Sequence, residues 1–316
     1  MSSLRFAWWN TGLSHSRAPG AASDDDRKAV AEVITRLTLE ERCSVVALAE
    51  VHREATIDLI PKQIRGTWRC LQEVSPAPDD YDLDVLWDAD LVQPQLQEIS
   101  WLSSSFVGAR VRPGVVARFS TSTGDDLVVA AAHWRSNMGD TENAGSLRSR
   151  AAEALRNAIG AAVFEGIPVM VLGDLNLEPF DRALQTVFPT SRYRDVVRRH
   201  QERNPSDTLF YNPSWRWLGE RMPWSAGERP SSLAGTYHEG KWVPSAWRTF
   251  DQVLVSAPLV GEKGWVLREA DLGIWIDSTV FDFQKSRPRK PFDHLPLLGT
   301  LDLVAKPRQP IDRSES

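Results

Sequence analysis

The sequence predicts an α/β protein in which two β-sheets pack face to face with helices outside. Three observations carry this expectation. Short apolar or alternating runs of strand length recur from Leu4 to Leu303, and several are closed by a polar residue. Helical periodicity is confined to a few segments. The chain of 316 residues, 42% of them hydrophobic, is long enough to bury a large core.

The elements follow in order. Leu4 to Trp9 alternates, is rich in aromatics, and reads as a strand ending at Asn10-Thr11-Gly12. Ser14 to Asp26 is polar and reads as a loop, after which Asp24 or Asp25 caps a helix reaching about Leu39, with Val30, Val33, Ile34 and Leu37 at helical spacing. Cys43 to Ala49 is a buried strand ending in Glu50. Ile57 to Ile64 is weakly helical and is interrupted by Pro61. Tyr81 to Trp87 alternates with period two, as a strand does. Val115 to Phe119 and Leu127 to Ala132 form a hairpin across a polar, Gly-containing loop, and the second strand runs into His133-Trp134-Arg135-Ser136-Asn137.

Ser146 to Phe164 carries Leu147, Ala151, Leu155 and Ile159 on one helical stripe. Val169 to Leu172 is a strand buried on both faces, and a short helix follows from Asp181 to Phe188. About 198–246 is an irregular Trp/Pro/Gly-rich excursion. Trp247 to Val255 and Gly264 to Leu267 return to strand character. Asp282 to Pro291 is a basic loop with Lys285, Arg287, Arg289 and Lys290, and Leu295 to Leu303 is the closing strand. Residues 1–306 are expected to form one catalytic unit, with 307–316 a disordered tail.

The chain is organised around VMVLGDLNLEP, Val169 to Pro179. Asp174 and Asn176 lie two residues apart, so in an extended chain they project to the same side. Gly, Asp and Asn are also ordinary turn residues, and a plain turn is the alternative reading of this stretch alone.

A net charge of −5 gives no general attraction to nucleic acid, although local arginines or bound cations can invert the field at a site. Cys43 and Cys70 provide neither a disulfide framework nor a zinc spacing. The N-terminus lacks a signal-peptide pattern, and no run approaches the ~20 apolar residues of a membrane span. These features predict a cytoplasmic protein without membrane association. The 13 Trp are an unusual surplus, able to fill a core or to stack on bases.

Asn10, Glu50, His133, Asp174 with Asn176, Asp251, and Asp293 with His294 each close or follow an apolar run. Each has a plain alternative taken singly: a helix start for Glu50, a structural histidine for His133, a turn for Asp251, a polar loop for Asp293-His294. Together they form a chemically coherent set. Hard oxygen donors such as Glu50, with Asn10 or Asp293, suit Mg²⁺ or Mn²⁺. Two histidines beside several aspartates supply what phosphodiester hydrolysis needs: a group to orient or deprotonate water, and positive charge for the transition state.

These motifs resemble the endonuclease/exonuclease/phosphatase superfamily. Phe6-Ala-Trp-Trp-Asn10 is similar to its first motif, and Val46-Ala-Leu-Ala-Glu50 to its metal-ligand motif, with Ala49 in place of the usual Gln. Ala132-His133-Trp134-Arg135-Ser136 resembles the motif with the phosphate-side histidine, and Gly173-Asp174-Leu175-Asn176 the central motif. Phe250-Asp251-Gln252-Val253-Leu254-Val255-Ser256 resembles the strand whose Asp orients a histidine, and Asp293-His294-Leu295-Pro296-Leu297 the terminal motif. Phe292 replaces a common Ser, and His133 stands where abasic-site endonucleases carry Tyr, which separates the chain from that branch.

The resemblance implies a four-layered α/β sandwich of two mostly antiparallel sheets, with helices outside and the site at one rim. It implies Mg²⁺-dependent phosphoester cleavage, with His133, Asp174, Asn176, Asp251 and His294 catalytic and Asn10, Glu50 and Asp293 at the metal. Gly235-Thr236-Tyr237-His238 with Lys241-Trp242 resembles bacterial nuclease-like members, so a nuclease acting on DNA or RNA is the first expectation. Arg135, Arg148, Asn176 and Trp242 are the candidate substrate contacts, although Arg148 equally suits a solvated helix start. The alternative is a phosphomonoesterase or phospholipase acting on an inositol phosphate or lipid headgroup. A catalytically inactive binding module is the third reading. A protein partner is not readable from the sequence.

Overall fold

In the computed structural model, which describes residues 3–15, 20, 22–121, 124–136, 141–204, 207–219, 234–240 and 246–304, the chain opens with β1 (Ser3–Ser14). Helix α1 (Asp24–Thr35) follows and runs into a π-helical turn at Arg36–Glu40. Its cap is Ser23, ahead of the expected Asp24 or Asp25. Ser23 forms a reciprocal capping box with Asp26, which satisfies two otherwise orphaned N–H groups. Then come β2 (Val45–Val51), β3 (Trp68–Cys70), the single turn α2 (Leu71–Val74) and β4 (Leu83–Asp88). A meander of β5 (Val92–Phe106), β6 (Ala109–Thr121) and β7 (Asp126–His133) leads to α3 (Thr141–Phe164) and the central β8 (Val169–Asp174). Short pieces follow: β9 (Thr190–Ser191), α4 (Arg194–Arg203), β10 (Phe210–Tyr211), β11 (Tyr237–His238) and β12 (Trp247–Arg248). The chain closes with β13 (Asp251–Val255), β14 (Gly264–Ile274), the hairpin β15 (Phe281–Asp282) and β16 (Arg287–Pro288), and β17 (Leu297–Val304).

One sheet has the strand order β14-β17-β1-β2-β4-β3, and the other β5-β6-β7-β8-β13-β10-β9. Neighbours are antiparallel except at β1–β2, β7–β8 and β9–β10. The first two parallel pairs are those whose connections carry α1 and α3, as a parallel crossover requires. The architecture is thus the α/β sandwich that the motif resemblance implies.

The apolar run of β8 is unbroken because both its faces are covered. Met170 and Leu172 enter the core between the sheets, while Val169 and Val171 pack with Leu147, Ala151, Leu155 and Ile159 of α3. Gly173 is demanded by close approach: a Cβ there would lie 2.6 Å from the Ala132 carbonyl oxygen on β7. Cys43 and Cys70 are free, buried thiols, and among the described residues no helix is long and apolar enough to cross a membrane.

Several local expectations are corrected. Ile57–Ile64 is helical only at Thr56–Leu59, and Asp181–Phe188 contains only a π-helical turn at Ala183–Val187. β5 is a 15-residue edge strand with little sequence signal, because its Gln- and Ser-rich residues face solvent on one side and the apolar alternation is diluted. α4 interrupts what reads as an irregular excursion; it buries only Val197 and is otherwise almost all charged or polar. Glu50, a candidate helix start, lies in β2. Within the expected excursion, 205–206, 220–233 and 241–245 lie outside the described residues, as do Trp242 and the expected tail 307–316.

Candidate active site

The site follows from strand parity. Along β7, Leu127, Val129 and Ala131 face the inter-sheet core, so His133 continues that face to the strand end. The same parity carries Met170 and Leu172 to Asp174 on β8, and Val255 and Val253 to Asp251 on β13. Pairing puts these three residues in one row, His133 opposite Asp174 and Asp174 opposite Asp251. On the facing sheet, Asn10 pairs with Ala49 at the ends of β1 and β2, which brings Glu50 to the same rim. Asp293 and His294 enter just before β17.

Hydrogen bonds knit the two sheets together here. His294 Nδ1 lies 2.7 Å from Asp251 Oδ2, and Trp8 Nε1 donates to Asp251 Oδ1 at 2.8 Å. Opposite, His133 Nδ1 lies 3.1 Å from Asp82 Oδ2. Both histidines aim Nε2 at Asp174 Oδ2, at 3.7 Å from His294 and 3.8 Å from His133. Asn10 Nδ2 donates to Asp174 Oδ2 at 3.1 Å and to Glu50 Oε1 at 3.3 Å, while its oxygen accepts from Gly12 N at 3.1 Å. Asp174 Oδ1 accepts the Asn176 N–H at 3.0 Å, and Asn176 Nδ2 donates to the Trp134 carbonyl at 2.9 Å. Glu50 and Asn176 both adopt positive φ, 56° and 49°, a strained backbone of the kind that gathers at functional sites.

The charges are perturbed accordingly. Burial alone lowers the His133 pKa, but Asp82, Asp174 and Glu50 outweigh it and raise it to about 9. His294 is likewise disfavoured as a cation by burial, yet Asp251 and Asp174 raise it well above 6.5. Burial pushes the Asp174 carboxyl up, with the two histidines opposing. Two histidines whose carboxylate neighbours favour the cationic form therefore flank the buried Asp174 carboxyl group.

These residues line a cleft of about 530 Å³ together with His15, Asp82, Arg112, Arg135, Ser136, Tyr237, Glu239, Arg248 and Phe250. The expected residues Glu50, His133, Asp174, Asn176, Asp293, His294 and Arg135 all line it. Asp251 lies behind His294, fully buried, and Asn10 lies beneath the two carboxylates as their donor. Arg148 does not line the cleft: it is buried, and its Nη1 donates to the Arg135 carbonyl at 3.0 Å. Asp82 escapes the sequence reading because it opens an alternating run as one more polar residue, and its histidine lies 51 positions away. Tyr237, whose ring lies 4.6 Å from that of His294, sits in a motif that the sequence did single out. Gly235, two residues earlier, has φ 145° and no room for a Cβ, which would lie 2.4 Å from the Arg248 carbonyl oxygen.

Which groups suit a divalent cation is decided by what is already engaged. Asp174, Asp251 and His294 bring ligand atoms within 4.8 Å of one another. Both Asp251 oxygens, however, hold Trp8 and His294. Glu50 and Asp293 face the cleft, and Asp293 makes no ion pair among the described residues. Beside Asp174, whose two oxygens already accept from Asn176 N and Asn10 Nδ2, they form a hard, oxygen-rich pair that fits Mg²⁺ or Mn²⁺.

Comparison with known proteins bears on the fold and the family. No curated protein sequence matches the chain. Among solved structures it is similar to D. rerio TDP2 complexed with a single-strand DNA product, at 15% identity and TM-score 0.59, covering 96% of this chain and 100% of that one. It is similar to the human Nocturnin catalytic domain with bound sulfate, at 15% identity and TM-score 0.58 over 96% and 95% of the two chains. It is also similar to a Bacteroides thetaiotaomicron mannosyl-6-phosphatase, at 13% identity and TM-score 0.57 over 95% and 100%. These similarities are of fold. Residues 21–204 match the Endonuclease/Exonuclease/phosphatase family itself, and the chain belongs to that family.

Proposed function

We propose that the protein is a divalent-metal-dependent phosphodiesterase, a nuclease that hydrolyses DNA or RNA by in-line attack of water, with residues 1–306 acting as one catalytic unit. The observation that carries this reading is the pair of carboxylate-held histidines, His294 on Asp251 and His133 on Asp82, converging on Asp174. Asp174 Oδ2, held by Asn10, would orient the attacking water and take its proton. His133 and His294, both cationic near neutral pH, would donate from Nε2 to the non-bridging phosphoryl oxygens. Asp82 and Asp251 would fix the ring orientation by engaging Nδ1, leaving Nε2 toward the cleft.

Glu50 and Asp293, with Asp174 beside them, would hold Mg²⁺ or Mn²⁺. When bound, that ion supplies neutralisation of phosphoryl charge and a more acidic water. Asn176 and Arg135, at the mouth, would meet the phosphate; Arg148 would act indirectly, holding the Arg135 backbone. The basic hairpin of β15 and β16, with Lys285, Arg287, Arg289 and Lys290, supports a polyanionic chain as substrate. The free thiols Cys43 and Cys70 are consistent with a cytoplasmic setting.

A phosphomonoesterase or phospholipase acting on a sugar phosphate, inositol phosphate or lipid headgroup is the second reading, favoured by the similarity to the mannosyl-6-phosphatase. Against an inactive binding module, Glu50, Asp174 and His294 all stand together in the cleft. The test is cleavage of plasmid DNA, single-stranded DNA and RNA with and without Mg²⁺ or Mn²⁺, beside the Asp174→Ala protein. Metal-dependent cutting that the variant loses is the expected result. Release of inorganic phosphate from phosphomonoesters, with nucleic acid left intact, would overturn the nuclease reading in favour of the second.

A further inference from the structure

The loop that follows Asn176 leads out of the cleft to a surface that the site does not use. Gln252 Nε2 donates to the Leu177 carbonyl and Glu178 accepts the Thr249 N–H, so this loop is fastened to the start of β13. Phe180 then projects into solvent, 57% exposed. Its ring lies 6.4 Å from that of Trp215. On the far side, the Arg192 guanidinium lies 5.3 Å from the Trp215 ring and 4.9 Å from the ring of Tyr193, itself 55% exposed. The four side chains make a continuous aromatic and cationic strip from the loop after the central motif to the edge of the seven-stranded sheet.

Arg194 and Arg216 are both taken up by Glu269, whereas Arg182 and Arg192 make no ion pair among the described residues. Trp215 also carries a cost: its Nε1 is buried with no hydrogen-bond partner among the described residues, a defect that Phe at the same place would avoid. Two exposed rings on either side of the half-buried Trp215, with the Arg192 guanidinium between them, match the faces of nucleobases and the phosphates between them. β9 stands two strand spacings from β13, and Ser191 is level with Val255, four residues below Asp251. The far end of the strip is thus roughly 15 Å from the cleft, within reach of about four nucleotides of one strand.

We propose that Phe180, Trp215, Arg192 and Tyr193 form an accessory site that grips a single-stranded segment of nucleic acid beyond the scissile phosphate. This assignment rests on the nuclease reading for its substrate class, but binding at the strip does not require hydrolysis in the cleft.

The experiment pairs two measurements on the full chain. Binding of a fluorescein-labelled single strand of about 12 nucleotides is followed by anisotropy in EDTA, for the wild type, Arg192→Glu and Trp215→Phe. Hydrolysis of bis(p-nitrophenyl) phosphate, too small to reach the strip, is measured with metal on the same proteins. Arg192→Glu, at an exposed position, is expected to weaken strand binding about tenfold, inside the roughly 5- to 150-fold range of losing one stacked base. Trp215→Phe should weaken it less, and neither should alter turnover of the small diester. Equal strand affinity in wild type and Arg192→Glu overturns the proposal. So does a wild type that dimerises through this face, becomes monomeric in Arg192→Glu and binds no strand. Weakened strand binding in a protein that hydrolyses no small diester supports the strip while the reading of the cleft fails.

Discussion

His294 and Asp251 form a buried pair, Nδ1 to Oδ2 at 2.7 Å, and Trp8 from the other sheet holds the second Asp251 oxygen at 2.8 Å. The imidazole is therefore oriented by a carboxylate that is itself held across the sandwich. Replacing His294 with Ala is expected to abolish cleavage. Asp251→Asn should lower kcat by about 10²- to 10⁴-fold, because the ring loses both its charge partner and its fixed orientation. Steady-state kinetics beside circular dichroism checks this; full activity of His294→Ala would remove the histidine from the mechanism.

Asp174 is buried and its carboxyl is pushed up by burial, with Asp251 opposite it in the strand row. Asp174→Asn should inactivate the enzyme and leave thermal stability unchanged or higher, since one carboxylate of a crowded buried group is removed. A large fall in Tm would show instead that the carboxylate is needed for folding.

Glu50 lines the cleft and is one of the two carboxylates proposed to hold the cation. Glu50→Gln keeps the shape and loses the charge, so the Mg²⁺ concentration for half-maximal activity should rise by about tenfold or more while metal-free stability changes little. A Mg²⁺ titration of activity that superimposes on the wild type would assign the ion elsewhere.

Asp82 holds His133 from behind, at 3.1 Å. Asp82→Asn should lower the His133 pKa from about 9 by removing the carboxylate that raises it most, which NMR titration of the imidazole reads directly. Activity should fall with it, and the acid-side shape of the pH profile should change.

Asp84 tests linkage away from the cleft. It is fully buried, bonded to Thr56 Oγ1 and to the backbone N–H groups of Gln72 and Val85, and burial raises its pKa from 3.8 to about 6. A folded-state value above the unfolded one means that protonation favours folding. The contribution is complete below the unfolded value and is lost as pH rises through about 6. Unfolding free energies of wild type and Asp84→Asn from urea titrations, compared between pH 4 and 7, should diverge by about 2–3 kcal/mol, with the wild type losing stability relative to the variant as pH rises. Parallel curves would contradict the shift.

Strand ends were legible in the sequence because burial and alternation are local properties. A run such as Val169–Leu172 must be covered on both faces, and parity along it fixes the side on which Asp174 emerges. Asn10, His133, Asp174 and Asp251 follow from that rule applied strand by strand; Glu50, one residue past the Ala49 that pairs with Asn10, has a positive φ of 56° and His294 precedes β17, so these two were legible only through the motifs they sit in. Elements without an apolar signal were not legible: β5 is an edge strand of Gln and Ser, and α4 buries a single Val.

Partnership was decided by tertiary structure alone. Asp82 reaches His133 across 51 residues, Trp8 reaches Asp251 across 243, and Arg192 meets Trp215 on a surface shared by two short elements. Such pairs depend on which strands become neighbours and on how one sheet lies over the other. Arg148 shows the same limit: read as a helix start it suits solvent, phosphate or a buried carbonyl, but α3 begins at Thr141 rather than the expected Ser146, and its packing chose the carbonyl of Arg135. The sequence by itself determined which side chains arrive at the rim, because alternation along a strand sets the face; the fold determined which of them touch, because contact depends on the third dimension that alternation does not encode.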